Sequence, residues 1–427
     1  MKPALLSILF LLAFFRNHAQ TAAVIHTSNQ YILGPCNDTL RLKGVNYAPY
    51  NWGYSINELH IAEIAKTGAN TVRLPWYQNN AAPVYSNYVA LDSAISKCVQ
   101  HDLIAIVELH DFTCANNTSA LVSGSAWWTS NSVLPILNKY RHSVIVNIAN
   151  EALHVNWASN PSAALSTYKT TYQTIITNLR NVAGFDFPLM IDAPDCGQHA
   201  DAFITGNTAA DLISFDPRHN LIFSAHAYWY GYANNDSTQM AGKLNNILAQ
   251  PIPFVLGEIA NQQDDVSMCQ YNLNYKALLR YCETKKMSWL AWSWDHDGCP
   301  NRQLSTNGSF ASLSTYGTDI VNNPTYGLST KPAAKSRYLL NNSLCNLSTS
   351  ISSINEARYQ LAINSDGSFT VIPRAKVIHV TGYDLTGRKV PVICTGENTW
   401  KIEACQGLYL ISIDDGTQQQ ILKLMPR

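Results

Sequence analysis

The sequence predicts an α/β protein, a (β/α)8 TIM barrel followed by a small all-β, sandwich-like C-terminal domain. Three observations carry that expectation. Eight short β-branched or apolar runs recur with helix-like stretches between them over roughly 250 residues, the usual extent of a closed eight-stranded barrel. No G-x-G occurs in the chain, so the dinucleotide fingerprint of the alternative, an open doubly wound sheet, is missing. After Leu340 the pattern changes to a polar stretch and then to short alternating runs divided by turns.

In chain order, Met1-Lys2-Pro3, the apolar run from Ala4 to Phe15 broken only by Ser7, and Arg16-Asn17-His18-Ala19 read as a signal peptide over residues 1–20. The run is too short to anchor the chain in a bilayer, and no later stretch is long and apolar enough to span one. A catalytic barrel is expected over 21–340. Its strands are expected at Leu40 to Val45, Thr71 to Leu74, Ile104 to Leu109, Val144 to Ala149, Leu189 to Asp192, Leu221 to Ala225, Phe254 to Gly257 and Trp289 to Ser293. The first crossover helix is expected to start at Ser55-Ile56-Asn57-Glu58, which has capping-box spacing, and to close at Gly68. Leu59, Ile61, Ala62, Ile64 and Ala65 would supply its sheet-facing stripe. Residues 341–353 read as a linker and 354–427 as the β domain, with turns at Ser365-Asp366-Gly367 and Leu385-Thr386-Gly387-Arg388.

The ten cysteines of an exported chain point to disulfides rather than metal ligands, since no C-x-x-C occurs. None follows the expected cleavage site closely enough for a lipid anchor. Cys394 with Cys405 and Cys269 with Cys282 are candidate pairs, the connectivity being open. Lys plus Arg and Asp plus Glu each number 29, which leaves no basic face for nucleic acid and favours a neutral, diffusing substrate. Tryptophans in expected loops (Trp52, Trp127, Trp128, Trp157, Trp229) offer flat faces for stacking on pyranose rings, although a Trp is as readily an ordinary core or rim residue.

Active sites of such barrels lie at the C-terminal ends of the strands. Seven expected strands end in polar or aromatic groups: Arg73, Glu108 with His110, Asn150 with Glu151, Asp192, His226 with Tyr228, Glu258, and Trp292. Glu151 and Glu258 each close an apolar run. Glycoside cleavage needs two carboxylates, one to protonate the departing oxygen and one to attack the anomeric carbon or activate water. A Glu after a strand is more often a helix-start carboxylate, but a pair, one of them beside an Asn, favours catalysis. Arg73 could hold the nucleophile ionised or serve as a structural salt bridge. Glu108 and His110 share strand parity and should face the same side. G-x-S-x-G and H-E-x-x-H are absent, and Asp295-His296-Asp297 reads as a solvated loop rather than a cation site, so no metal is expected.

At these residues the chain resembles glycoside hydrolase family 5, and most closely its bacterial β-mannanase branch. The resembling segments are Leu42 to Asn46, Thr67 to Arg73, Glu108 to Asp111, Ile148 to Glu151, Ile191 to Pro194, Phe223 to Tyr228, Val255 to Glu258 and Trp289 to Trp294, in order through nearly the whole expected barrel. The resemblance implies a retaining double displacement with Glu151 as acid/base and Glu258 as nucleophile. It also implies Asn150 bonding the 2-hydroxyl, Arg73 and Tyr228 steadying the nucleophile, His110 and His226 shaping the subsite at the cleavage point, and Trp292 forming its floor. No cofactor is implied.

Two departures stand out: Ala152 to Trp157 replaces the usual Pro after the acid/base, and the loop from Cys114 to Trp128 is longer than typical. The tail, with Gly382 to Arg388, Gly407 to Leu410 and Gln420 to Leu424, is similar to the C-terminal sorting domains of the type IX secretion system. A carbohydrate-binding module using Trp400 and Tyr409 is the alternative. The expectation is thus a secreted, monomeric endo-1,4-β-mannosidase acting on polysaccharide, with no nucleic-acid partner and with the secretion machinery as partner of the tail. A β-1,4-glucanase and a non-catalytic sugar-binding protein are the other readings.

Overall fold

The computed structural model describes residues 24–49, 59–78, 88–228, 236–263, 269–341 and 345, and in the C-terminal part 359–363, 368–373, 379–383, 389–396, 399–402, 409–414 and 419–424. Two compact units result, Met1–Leu347 and Ser348–Arg427. The expected signal peptide, the Ser55 to Glu58 capping box, Trp52 and Trp229 lie outside the described residues.

The first unit is a closed barrel of eight parallel strands. They are β1 (Lys43–Asn46), β2 (Thr71–Trp76), β3 (Ile104–Leu109), β4 (Val144–Asn147), β5 (Leu189–Asp192), β6 (Leu221–Ala227), β7 (Phe254–Ile259) and β8 (Ser288–Ala291). β8 pairs with β1 to close the ring. The expected runs locate all eight, with ends shifted by a few residues. The first described helix begins only at Ile61, with His60 at its N-cap and no side-chain cap, and Gly68 follows it at φ 87°. Ile61 and Ile64 are its buried residues.

Strand alternation separates two cores. Val72, Leu74, Val107, Val146, Ile191 and Phe223 point outward to the helices. Ile106, Ile145, Met190, Ile222, Val255 and Leu290 fill the interior. A small antiparallel sheet of His26–Ser28, Tyr31–Leu33 and Thr39–Leu40 adds Ile32 and Leu40 to this interior core, and Ile25, just before it, joins them. Further along the same strands, at the same parity, the inward residues change from apolar to polar: Glu108 after Ile106, Asn147 after Ile145, Asp192 after Met190, with Arg73 following the small polar Thr71 on β2. The apolar layer thus supports a polar one at the C-terminal mouth.

β7 breaks this alternation. Its register against β6 shifts between Leu256 and Glu258, so that Glu258 pairs with His226. Gly257 is the residue passed over, and a Cβ there would lie 2.4 Å from Ser224 Oγ and 3.1 Å from His226 Nε2. Glycine is required by this close approach, and the irregularity turns the Glu258 side chain into the mouth.

The second unit has two four-stranded antiparallel sheets. Phe369, Val371, Val380, Val390, Ile402, Tyr409, Ile411 and Ile413 form its core. Tyr409 is buried, and Trp400 stacks on Phe369 at 6.4 Å.

Three disulfides are formed among the described residues: Cys36–Cys345, Cys114–Cys196 and Cys269–Cys299. The Cys269 with Cys282 pairing is corrected, because Cys282 lies on the buried face of the helix Tyr275–Lys285 while Cys299 comes from the loop after β8. Cys405 lies outside the described residues.

Candidate active site

Arg73 organises the mouth. It is fully buried, and all five of its N–H groups are matched by acceptors. Nε donates to Asn147 Oδ1 at 2.9 Å. Nη1 donates to Asn46 Oδ1 at 3.0 Å and Glu258 Oε1 at 2.8 Å. Nη2 donates to Asn150 Oδ1 at 2.6 Å and Asp192 Oδ2 at 3.2 Å. Burial alone would lower the guanidinium pKa, but Glu108, Asp192, Glu258 and Glu151 around it drive it upward, so it is a permanent cation.

Glu258 is gripped from both sides. Arg73 holds Oε1, and the Tyr228 hydroxyl donates to Oε2 at 2.7 Å. Tyr228 in turn receives Arg302 Nη2 at 3.1 Å, with the guanidinium 5.2 Å from its ring centre. Burial raises the Glu258 pKa, opposed by the nearby His226 ring, by the charge of Arg73 and by the Tyr228 hydrogen bond.

Glu151 sits just past β4 with φ 50°, a left-handed conformation that costs a non-glycine residue on the order of 1 kcal/mol. Its N–H donates to Asp192 Oδ2 at 3.3 Å, and its Oε1 lies 2.6 Å from His226 Nδ1. Burial pushes its carboxyl up to about 8, with His110 and Arg73 pulling down and Asp192 and Glu108 pushing further up. Cys114 Sγ, oxidised in the disulfide with Cys196, lies 3.5 Å from its Oε2. One carboxylate oxygen of Glu151, one of Glu258 and a ring nitrogen of His226 all lie within 4.8 Å of one another. Such a spacing could also surround a cation, but Arg73 already supplies positive charge to the Glu258 carboxylate.

The two histidines are poised differently. Burial lowers the His226 pKa and keeps the ring neutral. The ring is boxed by Gly257 and by Gly197, whose φ of 74° and whose notional Cβ, 2.7 Å from His226 Cγ, both demand glycine. For His110, burial is overcome by Glu108, whose Oε1 lies 2.7 Å from Nδ1, so its pKa is raised. The His110 ring lies nearly parallel to Trp292 at 6.1 Å and 12°. Trp292 Nε1 donates to Asp297, which also pairs with Arg302 at 3.3 Å. Asp295 is buried against His60 at 2.9 Å. The expectation of a solvated Asp295-His296-Asp297 loop is corrected in part, because Asp295 is buried and Asp297 is half-buried against Trp292 and Arg302, while His296 is exposed.

The ten residues singled out from the sequence (Arg73, Glu108, His110, Asn150, Glu151, Asp192, His226, Tyr228, Glu258, Trp292) therefore surround one mouth. Sequence reasoning assigned no part to Asn46, Asn147, Arg302 or Asp195. Asn147 had a signal, a polar residue at inward parity inside the run Val144 to Ala149. Arg302 and Asp195 lie in loops and had none. Asp195 accepts from the N–H groups of Val155, Asn156 and Trp157 at 2.8, 2.8 and 3.2 Å and from His199 Nδ1 at 3.0 Å. It thereby fixes the segment Ala152 to Trp157. Of the loop tryptophans, Trp128 is buried and Trp127 packs against the core, so both are structural.

The family model for cellulase (glycosyl hydrolase family 5) matches residues 34–298, a span containing every one of these groups except Arg302. The mannan endo-1,4-β-mannosidase of Streptomyces lividans is 30% identical over 332 residues, covering 74% of this chain and 79% of that protein. The enzyme of the same name from Salipaludibacillus agaradhaerens is 27% identical over 282 residues, 66% of this chain and 85% of its own. Among solved structures, the β-mannanase of Thermomonospora fusca superposes with a TM-score of 0.62 at 24% identity, over 74% of this chain and 100% of that one, which bears on the fold. With a parallel barrel, paired carboxylates at its mouth and a family match over most of the barrel, the chain belongs to glycoside hydrolase family 5.

Proposed function

We propose that this protein is a retaining endo-1,4-β-mannosidase that cleaves mannan internally, with Glu258 as nucleophile and Glu151 as acid/base. The observation that carries the reading is the approach of one Glu151 oxygen to one Glu258 oxygen within 4.8 Å. Retaining enzymes place their carboxyl groups about 5–5.5 Å apart, whereas an inverting pair needs about 6.5–9.5 Å to admit a water. The curated mannosidase relatives support mannan as the substrate.

Chemistry follows from the environments. Two buried carboxylates this close do not both ionise readily, and a shared proton settles where it is least opposed. Arg73 and Tyr228 donate to Glu258, which favours its carboxylate, so the proton rests on Glu151. Neutral His226 leaves Nδ1 free to accept it. Glu258 attacks the anomeric carbon as Glu151 protonates the departing glycosidic oxygen. Glu151, now ionised, takes a proton from the water that cleaves the glycosyl ester. Asn150 Nδ2 donates to Thr113 Oγ1 at 3.0 Å and has a second hydrogen for the sugar 2-hydroxyl. His110, His226 and Trp292 border the sugar whose bond is cut.

Galactomannan viscometry with product sizing tests this. Rapid viscosity loss, β-configured initial products and inactivity of Glu258→Ala are expected; α-configured products would refute retention. A β-1,4-glucanase is the second reading, favoured by a 26% identical relative described as β-mannanase/endoglucanase A from Caldicellulosiruptor saccharolyticus. Rates on carboxymethylcellulose and mannan separate the two, and binding without product would return the non-catalytic reading.

The remaining assignments rest on sequence pattern: residues 1–20 as an export signal, 21–340 as catalytic domain, 341–353 as linker, 354–427 as a type IX sorting domain, and a secreted monomer. The mass and N-terminus of the protein recovered from medium, with and without residues 354–427, test them together with light scattering.

A further inference from the structure

Among the described tryptophans only Trp157 is exposed, at 57%. It ends the segment that departs from the family pattern after Glu151. An apolar ring left in water is ordinary on a mobile loop, but this one is held. Asp195 clamps the N–H groups of residues 155, 156 and 157. The Leu153 N–H donates to Ala115 O at 2.8 Å, and the Asp195 N–H to Leu153 O at 2.9 Å. The Cys114–Cys196 disulfide joins the loops on either side. Leu153, Cys114, Asp195 and Cys196 all adopt left-handed backbone conformations here, an outlay of conformational energy concentrated around one solvent-facing ring.

A relay of contacts through Cys114 and His154 links that ring to the acid/base. Cys114 Sγ touches Glu151 Oε2, Cys114 O accepts from His154 Nε2 at 3.1 Å, and the His154 ring packs edge-on against Trp157 at 5.2 Å. In the ring of strands β4 stands opposite β8, so Glu151 and Trp292 approach the scissile bond from opposite sides of the mouth. A chain whose cleaved sugar borders Trp292 must send its departing half past Glu151, because the acid protonates the oxygen that leaves.

We propose that Trp157 is the stacking platform for a pyranosyl unit on the leaving-group side of the scissile bond. The assignment rests on Glu151 being the acid/base, as read above. Such an aromatic contact gives long substrates an advantage over substrates with a small leaving group.

The test compares Trp157→Ala with wild type on mannohexaose and on 4-nitrophenyl β-mannobioside, alongside thermal melts. The expected result is a kcat/KM loss about tenfold greater on the hexaose than on the aryl glycoside, the scale of one buried Trp contact. Trp157→Phe, which keeps a flat ring, should recover most of it. Equal losses on both substrates, or no loss on either, with an active wild type would overturn the subsite alone. A wild type inactive on both would overturn the catalytic reading and the subsite with it.

Discussion

Replacing Arg73 by Lys keeps the charge and removes the fork. Five N–H groups of Arg73 meet five buried acceptors: Asn147, Asn46, Glu258, Asn150 and Asp192. A lysine ammonium has three donors on one atom and cannot span the same separation, so at least two acceptors lose their partner. Each buried polar group left unpaired costs about 1–3 kcal/mol, which puts the destabilisation at about 2–6 kcal/mol. Arg73→Met, by removing the charge from among four carboxylates, should reach at least the 3–5 kcal/mol typical of a broken buried pair. Chemical denaturation midpoints measure the first effect and pH profiles the second. Arg73 lowers the Glu258 pKa, so its loss must raise that pKa and move the acid limb of kcat/KM to higher pH. Arg73→Lys within about 0.5 kcal/mol of wild type, the range of an unremarkable surface change, would refute this account of the hub.

Other consequences follow from the same contacts. Glu151 must be protonated to act, so kcat/KM should fall as pH rises through about 8; a flat profile to pH 9 contradicts the assignment. Glu151→Gln should lose about 10²- to 10⁴-fold on mannan but far less on a dinitrophenyl glycoside whose leaving group needs no proton. Tyr228→Phe removes a hydrogen bond to a charged oxygen, about 1.5–3 kcal/mol, and should lower kcat about 10- to 100-fold with little change in melting temperature; an unchanged kcat would mean the bond is not used in the reaction. Asp195→Ala should destabilise the protein by about 1–3 kcal/mol near neutral pH. Burial works against the Asp195 carboxylate, but its hydrogen bonds hold it below the usual range. Its contribution is therefore full above the unfolded-state value and lost as pH falls through the folded one, so wild-type and variant melts should converge in acid. Parallel curves at all pH values would count against it.

The sequence by itself determined the barrel and the residues at its mouth. Period-two alternation decides which side chains face inward, so Arg73 and Asp192 could be placed from local pattern, and an apolar run ending in a polar residue marks a strand's C-terminal end, which located Glu258 but not its direction. Local pattern does not report which distant segments meet. The five Arg73 acceptors come from four different strands or their ends, and Asn46 and Asn147 are ordinary asparagines until the ring closes. The left-handed turn at Glu151, the register shift at Gly257, the Cys269–Cys299 pairing and the Asp195 clamp on the loop to Trp157 are likewise products of loop packing. Tertiary structure alone decided the distance between the two carboxylates and the environment of each. Burial and neighbouring charge, which set where the proton rests, belong to the assembled barrel and to no segment of it.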